Sequence, residues 1–312
     1  MTQIRGVHHV ALGVRDLEAM KRFYIDILGF KRVIAEMPEE EQTVMHETVR
    51  APSVRFGGAM LQQEGGGIVV EMIRMTTPEP RPLREKPVFG DIGVAKLTVG
   101  VPDLEAFYAQ QKGKIPFCSQ PQRAGIPHRG AYRFVYCRDP EGNLIEFISF
   151  ADVGEKVSPS GARWVGVSVT DLDRSIEFYQ NRLGLDVMAA EPHEAFTGLV
   201  DEVSGHTGTR VRSCLLGSSG AGPDEGMVEL FEVMEPRGRS IPFSARWGDF
   251  GYLQVCFRHE NAREAASRLE KEGVELLCGH TVMVGGPPGP PGEFFYLKDP
   301  DGIPLEHLFL PF

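Results

Sequence analysis

A duplicated turn constrains this chain more than any other feature. Tyr136 to Ser149 reads YCRDPEGNLIEFIS, and Tyr296 to Phe309 reads YLKDPDGIPLEHLF. Tyr136, Asp139, Pro140, Gly142 and Glu146 recur as Tyr296, Asp299, Pro300, Gly302 and Glu306, each 160 positions later (306 − 146). Each copy is a strand, a tight Asp-Pro-x-Gly turn and a second strand carrying one carboxylate. A match at that distance marks a duplicated unit, so the fold has to be read in copies of it.

A second repeat divides the halves again. In His8 to Phe30, HHVALGVRDLEAMKRFYIDILGF, alternation puts Val10, Leu12 and Val14 on one side of a strand and His9, Ala11 and Gly13 on the other. Asp16 stands where an N-cap belongs, and Leu17, Met20, Phe23, Tyr24 and Ile27 follow at helical spacing until Gly29. Arg163 to Leu185 repeats the pattern with Asp171 for Asp16, an offset of 155 (171 − 16). Weaker copies start at Ala95 and Leu253. In each copy three strand-like runs follow the helix, which gives four βαβββ modules and an α+β fold.

At 312 residues the chain suits two domains of ordinary size. The expected division pairs successive modules: 1–90 with 91–152 in a first domain that carries the active site, and 160–245 with 246–312 in a degenerate second. Asp152 to Ser160 reads as the linker. Inside each half a Pro-containing link, Thr76 to Pro87 or Glu235 to Pro242, precedes a Gly-Asp-x-Gly tetrad at Gly90 to Gly93 or Gly248 to Gly251.

Composition removes several function classes. No apolar run approaches the ~20 residues of a membrane span, and the N-terminus MTQIRGVHHV has no apolar signal region. A net charge of −10 opposes nucleic acid and anionic membranes, which need clustered Lys and Arg. The five cysteines are odd in number and scattered, as reduced thiols of a cytoplasmic protein are. The expected partner is a small molecule, with self-association into a homo-oligomer left open.

Registering the modules places four positions of each half on opening and closing strands: His9, Glu71, Lys96 and Glu146 in the first, Trp164, Glu229, Gln254 and Glu306 in the second. Parity turns the carboxylates away from the helices, because Val70 and Met72 flank Glu71 while Ile145 and Phe147 flank Glu146. Small neighbours such as Ala11, Gly13, Thr98 and Gly166 share that face and point to an open concavity. A carboxylate in an apolar strand is costly unless paired or bound to a cation. Two readings follow: a divalent metal (Zn, Mn, Fe, Co or Ni) on His9, Glu71 and Glu146, or a buried salt bridge from Lys96 to Glu71 or Glu146.

These opening and closing motifs resemble the vicinal oxygen chelate superfamily, which includes glyoxalase I, methylmalonyl-CoA epimerase, bleomycin-resistance proteins and extradiol dioxygenases. The resemblance covers nearly the whole chain. It implies paired modules forming eight-stranded cups, with a metal ligand on each of four strands. His9, Glu71 and Glu146 match that pattern and Lys96 departs from it. Ile126 to Glu146, IPHRGAYRFVYCRDPEGNLIE, is also similar to the extradiol dioxygenase signature through His128, Tyr136 and Glu146.

The function expected from the resemblance is a metal-dependent lyase or isomerase working through an enediolate-like intermediate, with Glu71 or Glu146 moving a proton and Lys96 donating to a substrate oxyanion. One alternative is extradiol ring cleavage, in which His128 and Tyr136 line a catechol site. The other is a metal-free binding protein in which Lys96 neutralises the carboxylates.

Overall fold

The computed structural model describes residues 4–126, 130–150, 161–222, 224–242, 245–283 and 291–311. His128 and the 152–160 linker lie outside them. The first module comprises β1 (Ile4–Gly13), a helix Leu17–Arg22 continued by a π turn Phe23–Ile27, β2 (Arg32–Glu41), β3 (Arg55–Gln62) and β4 (Val69–Thr77). The second holds β5 (Gly93–Gly100), a helix Leu104–Gln111, β6 (Gln122–Ile126), β7 (Gly130–Arg138) and β8 (Leu144–Ser149). In the third are β9 (Gly161–Ser168), a helix Leu172–Glu177 with a π turn Phe178–Leu183, β10 (Val187–Thr197), β11 (Arg210–Gly217) and β12 (Met227–Glu235). The fourth has β13 (Gly251–His259), a helix Ala262–Lys271, β14 (Leu276–Val282), β15 (Glu293–Lys298) and β16 (Pro304–Phe309). The helix that follows the opening strand of each module starts on a side-chain cap: Asp16, Asp103, Asp171 and Asn261 accept from the backbone N–H three residues on. Such a cap is worth about 1 kcal/mol.

The sixteen strands form two curled eight-stranded sheets, ordered β14-β15-β16-β13-β1-β4-β3-β2 and β10-β11-β12-β9-β5-β8-β7-β6. The first module therefore pairs with the fourth and the second with the third. This corrects the expected pairing of successive modules: each cup draws strands from both halves, so neither half is a cup by itself.

The links between modules supply the physical reason. The segment after β4 docks on the tetrad of the opposite half, where Phe250 N donates to Arg81 O at 2.8 Å and Arg81 N to Asp249 Oδ1 at 2.9 Å. The segment after β12 does the reciprocal: Ile92 N donates to Arg239 O at 2.9 Å and Arg239 Nε to Asp91 Oδ1 at 2.6 Å. Each tetrad aspartate thus grips the other half's link. Chain leaving one sheet is handed to the opposite sheet, and β1 meets β13 instead of β5.

Three apolar clusters follow from this arrangement. One collects the helix-facing side of both sheets, including Val10, Leu12, Val14, Met20, Tyr24, Leu172, Tyr179 and Leu269. The other two line the cup interiors. The first cup's interior holds Ala11, Phe56, Trp247, Leu253, Cys256 and Tyr296. The second cup's interior is filled by seven aromatic side chains, Phe89, Tyr132, Phe134, Tyr136, Trp164, Phe196 and Phe231. The repeated turns close the ends of two strand pairs. Asp139 Oδ1 accepts from Glu141 N and Asn143 N, and Asp299 Oδ1 from Asp301 N and Ile303 N. Gly142 and Gly302 take φ of 93° and 83°, where a Cβ is disfavoured.

A candidate metal centre where the first and last modules meet

The sheet register decides which of the eight singled-out positions come together. On β1, Ala11 lies opposite both Glu71 of β4 and Gln254 of β13, while Cys256 of β13 lies opposite Glu306 of β16. On β9, Gly166 lies opposite both Glu229 of β12 and Lys96 of β5, while Thr98 of β5 lies opposite Glu146 of β8. The first cup therefore collects His9, Glu71, Gln254 and Glu306. The second collects Trp164, Glu229, Lys96 and Glu146. The expected triad of His9, Glu71 and Glu146 is split between sheets, and Glu306 takes the place assigned to Glu146.

In the first cup, His9 Nε2 lies 3.0 Å from Glu306 Oε2 and 3.3 Å from Glu71 Oε2. The ring is buried, yet Nε2 makes no hydrogen bond of acceptable geometry. Three donors within 4.8 Å of one another, one nitrogen and two carboxylate oxygens, are a chemically suitable set for a divalent ion. Burial would lower the imidazole pKa, but Cys256, Glu306 and Glu71 together hold it well above its ordinary value. The two carboxylates favour positive charge at this point, whether proton or metal.

Neighbours orient these donors. Gln254 Nε2 donates to Glu306 Oε2 at 2.6 Å and to the Tyr296 hydroxyl at 3.2 Å, while its Oε1 accepts the indole N–H of Trp247. His9 Nδ1 lies 2.9 Å from His8 Nδ1. Burial, His9 and Arg258 push His8 down to about 3, so His8 is neutral and its Nδ1 can accept a hydrogen bond from His9 Nδ1–H. That tautomer leaves the His9 Nε2 lone pair for a cation.

Sequence reasoning missed three residues here. Strict alternation along β1 would turn His8 away from His9, but a register shift between Val7 and His9 against β13 breaks the alternation. Trp247 precedes the Gly248 to Gly251 tetrad, as Phe89 precedes the other tetrad, and its position there was the available signal. Cys256 groups with His8 and His9 within 4.8 Å and carried no local signal. Burial and then Glu306 push its thiol pKa up, which keeps it protonated.

In the second cup the Lys96 ammonium lies 2.8 Å from Glu146 Oε2 and 2.9 Å from Glu229 Oε2. Tyr136 donates its hydroxyl to Glu146 Oε1 at 2.8 Å, Thr98 donates to Glu146 Oε2 at 2.8 Å, and Trp164 Nε1 donates to Glu229 Oε2 at 3.2 Å. Burial would lower the lysine pKa, but Glu146 and Glu229 raise it.

Paired βαβββ modules with donors on the inner strands of a cup define a class of fold, and sequence comparison places the chain within it. The model of the glyoxalase/bleomycin resistance protein/dioxygenase superfamily matches residues 6–147 and 161–307. The chain belongs to that superfamily. It is similar to lactoylglutathione lyase of Schizosaccharomyces pombe, at 23% identity over 96% of this chain and 95% of that protein. Among solved structures, glyoxalase I from Zea mays aligns with a TM-score of 0.59 at 18% identity, over 99% of this chain and 93% of that one. A putative dioxygenase from Bacillus subtilis aligns with a TM-score of 0.61 at 17% identity, over 100% and 87%. Among the described residues no helix is long and apolar enough to cross a membrane.

Proposed function

We propose that this chain is a divalent-metal-dependent lyase or isomerase acting on a small oxygenated molecule at His9, Glu71 and Glu306 in the first cup. The observation that carries the reading is the convergence of one imidazole and two carboxylates on His9 Nε2, a buried nitrogen without a hydrogen bond. A divalent ion held there supplies a Lewis acid for negative charge developing on neighbouring substrate oxygens. Glu71, at 14% exposure against 8% for Glu306 and 3% for His9, is the donor open to substrate. It is placed to move a proton at the carbon beside those oxygens. Gln254 steadies Glu306, His8 steadies His9, and Trp247 steadies Gln254.

A cleft of about 470 Å³ borders the first cup at Trp247 and Leu253, and none of the four inner-strand side chains His9, Glu71, Gln254 and Glu306 lines it. The lyase reading is favoured over ring cleavage because these four positions offer one imidazole, whereas the non-haem iron oxygenase set uses two with one carboxylate. Tyr136, which the ring-cleavage reading placed in the catechol site, lies on Glu146 in the second cup, where Lys96 and Trp164 stand at the other positions and offer no imidazole. Five free thiols suit a reducing compartment such as the cytoplasm.

The reading is tested with protein loaded in turn with Mn, Ni, Co or Zn and incubated in D2O with lactoylglutathione and a panel of α-hydroxy carbonyl compounds. Deuterium entering the carbon next to a carbonyl, abolished in Glu71→Gln, is the expected result. No exchange with any compound or metal would overturn it.

A further inference from the structure

The second cup repeats the two carboxylates of the first and replaces its other two inner-strand side chains. Lys96 occupies the β5 position equivalent to Gln254, opposite Gly166 as Gln254 is opposite Ala11. Its ammonium reaches both carboxylates, at 2.8 and 2.9 Å. Trp164 occupies the β9 position equivalent to His9 and gives its N–H to Glu229. An indole N–H donates and cannot ligate, and a protonated amine has no lone pair to offer. The residues present therefore do not fit a divalent ion.

We infer that Lys96 is the second cup's built-in cation, an ammonium standing where an ion would stand in the first, so that this cup does not load metal and keeps both carboxylates ion-paired to one amine. The backbone opposite is shaped for it. A Cβ on Gly166 would lie 2.5 Å from Lys96 Cγ and 2.7 Å from Cε, so a glycine there clears the path of the lysine stem. Lys96 is only 1% exposed, and the aromatic filling leaves substrate no approach to it. The cup then serves as a stabilising partner to the first, with one live site per chain. The count of one rests on the function proposed above, while the exclusion of metal from the second cup does not.

Metal bound per chain, measured by elemental analysis after dialysis against Mn2+, tests the inference. The double variant Lys96→Gln with Trp164→His installs the side chains of the first cup, and it is expected to hold one more Mn2+ per chain than wild type. Its thermal midpoint should rise with added Mn2+ beyond any shift in wild type. No extra equivalent in the folded double variant overturns the inference. Should that variant not fold, Glu146→Gln decides, because it should hold the same metal as wild type, and a loss of one equivalent overturns the idea. If wild type holds no metal at all, the function proposed for the first cup fails, while the extra equivalent in the double variant still reads out the second.

Discussion

His9 Nε2 lies 3.0 Å from Glu306 Oε2, although one residue belongs to the first module and the other to the last. That contact exists because β1 pairs with β13 and β13 with β16. Catalytic reasoning that groups residues by sequence half brings His9 to Glu146 and sets a lysine among the ligands. Grouping by sheet removes the lysine from the first cup and gives it a role in the second.

Removing the ammonium should be costly. Lys96→Met leaves Glu146 and Glu229 buried without a cation, and losing one partner of a buried pair typically costs about 3–5 kcal/mol. Chemical denaturation is expected to show a loss of that order, with Lys96→Met/Glu146→Gln/Glu229→Gln recovering part of it. A loss below about 1 kcal/mol for the single variant would mean that Lys96 does not hold the pair.

Gly166→Ala tests the fit of the lysine stem from the other strand. Overpacking a closed interior costs about 1–3 kcal/mol, and a loss in that range is expected here because Lys96 is buried and has little room to retreat. Unchanged thermal stability would show that the stem moves aside freely.

The repeated turns predict a pH dependence. Burial raises the Asp299 carboxyl to about 7, the hydrogen bonds from Ile303 and Asp301 offsetting it only in part. Because the folded value lies above the unfolded one of about 3.9, the contribution of Asp299 relative to an asparagine is fully present below pH ~4. It is lost as pH rises through about 7, by an amount on the order of a few kcal/mol. Stability of wild type minus that of Asp299→Asn should therefore fall between pH 4 and 8. A difference that stays flat or grows would contradict the assigned shift. Asp139, raised by burial to about 6, should behave alike over a slightly lower range.

Much of the molecule was legible because it is written locally. Asp16 and Asp171 announce their helices, alternation around Val10 and Leu12 marks the strand face, and the Asp-Pro-x-Gly turns reveal the duplication. All eight inner-strand positions were named from these signals. The partner of each opening strand was not legible, since β1 could pair with β5 or β13 by side-chain pattern alone. What separates them is the docking of Arg81 on Asp249 and Arg239 on Asp91, contacts between distant segments that no periodicity encodes. For the same reason Glu306 was recognised as an equivalent of Glu146 and not as the residue beside His9.

The most direct test of the site is metal retention by two glutamate variants prepared side by side. Glu306→Gln should weaken binding of the divalent ion at least about 10–100-fold, the loss typical of disturbing even an outer partner of a metal ligand, while Glu146→Gln should match wild type. The opposite ranking, with Glu146→Gln losing the ion and Glu306→Gln keeping it, would contradict the placement of the centre between the first and last modules.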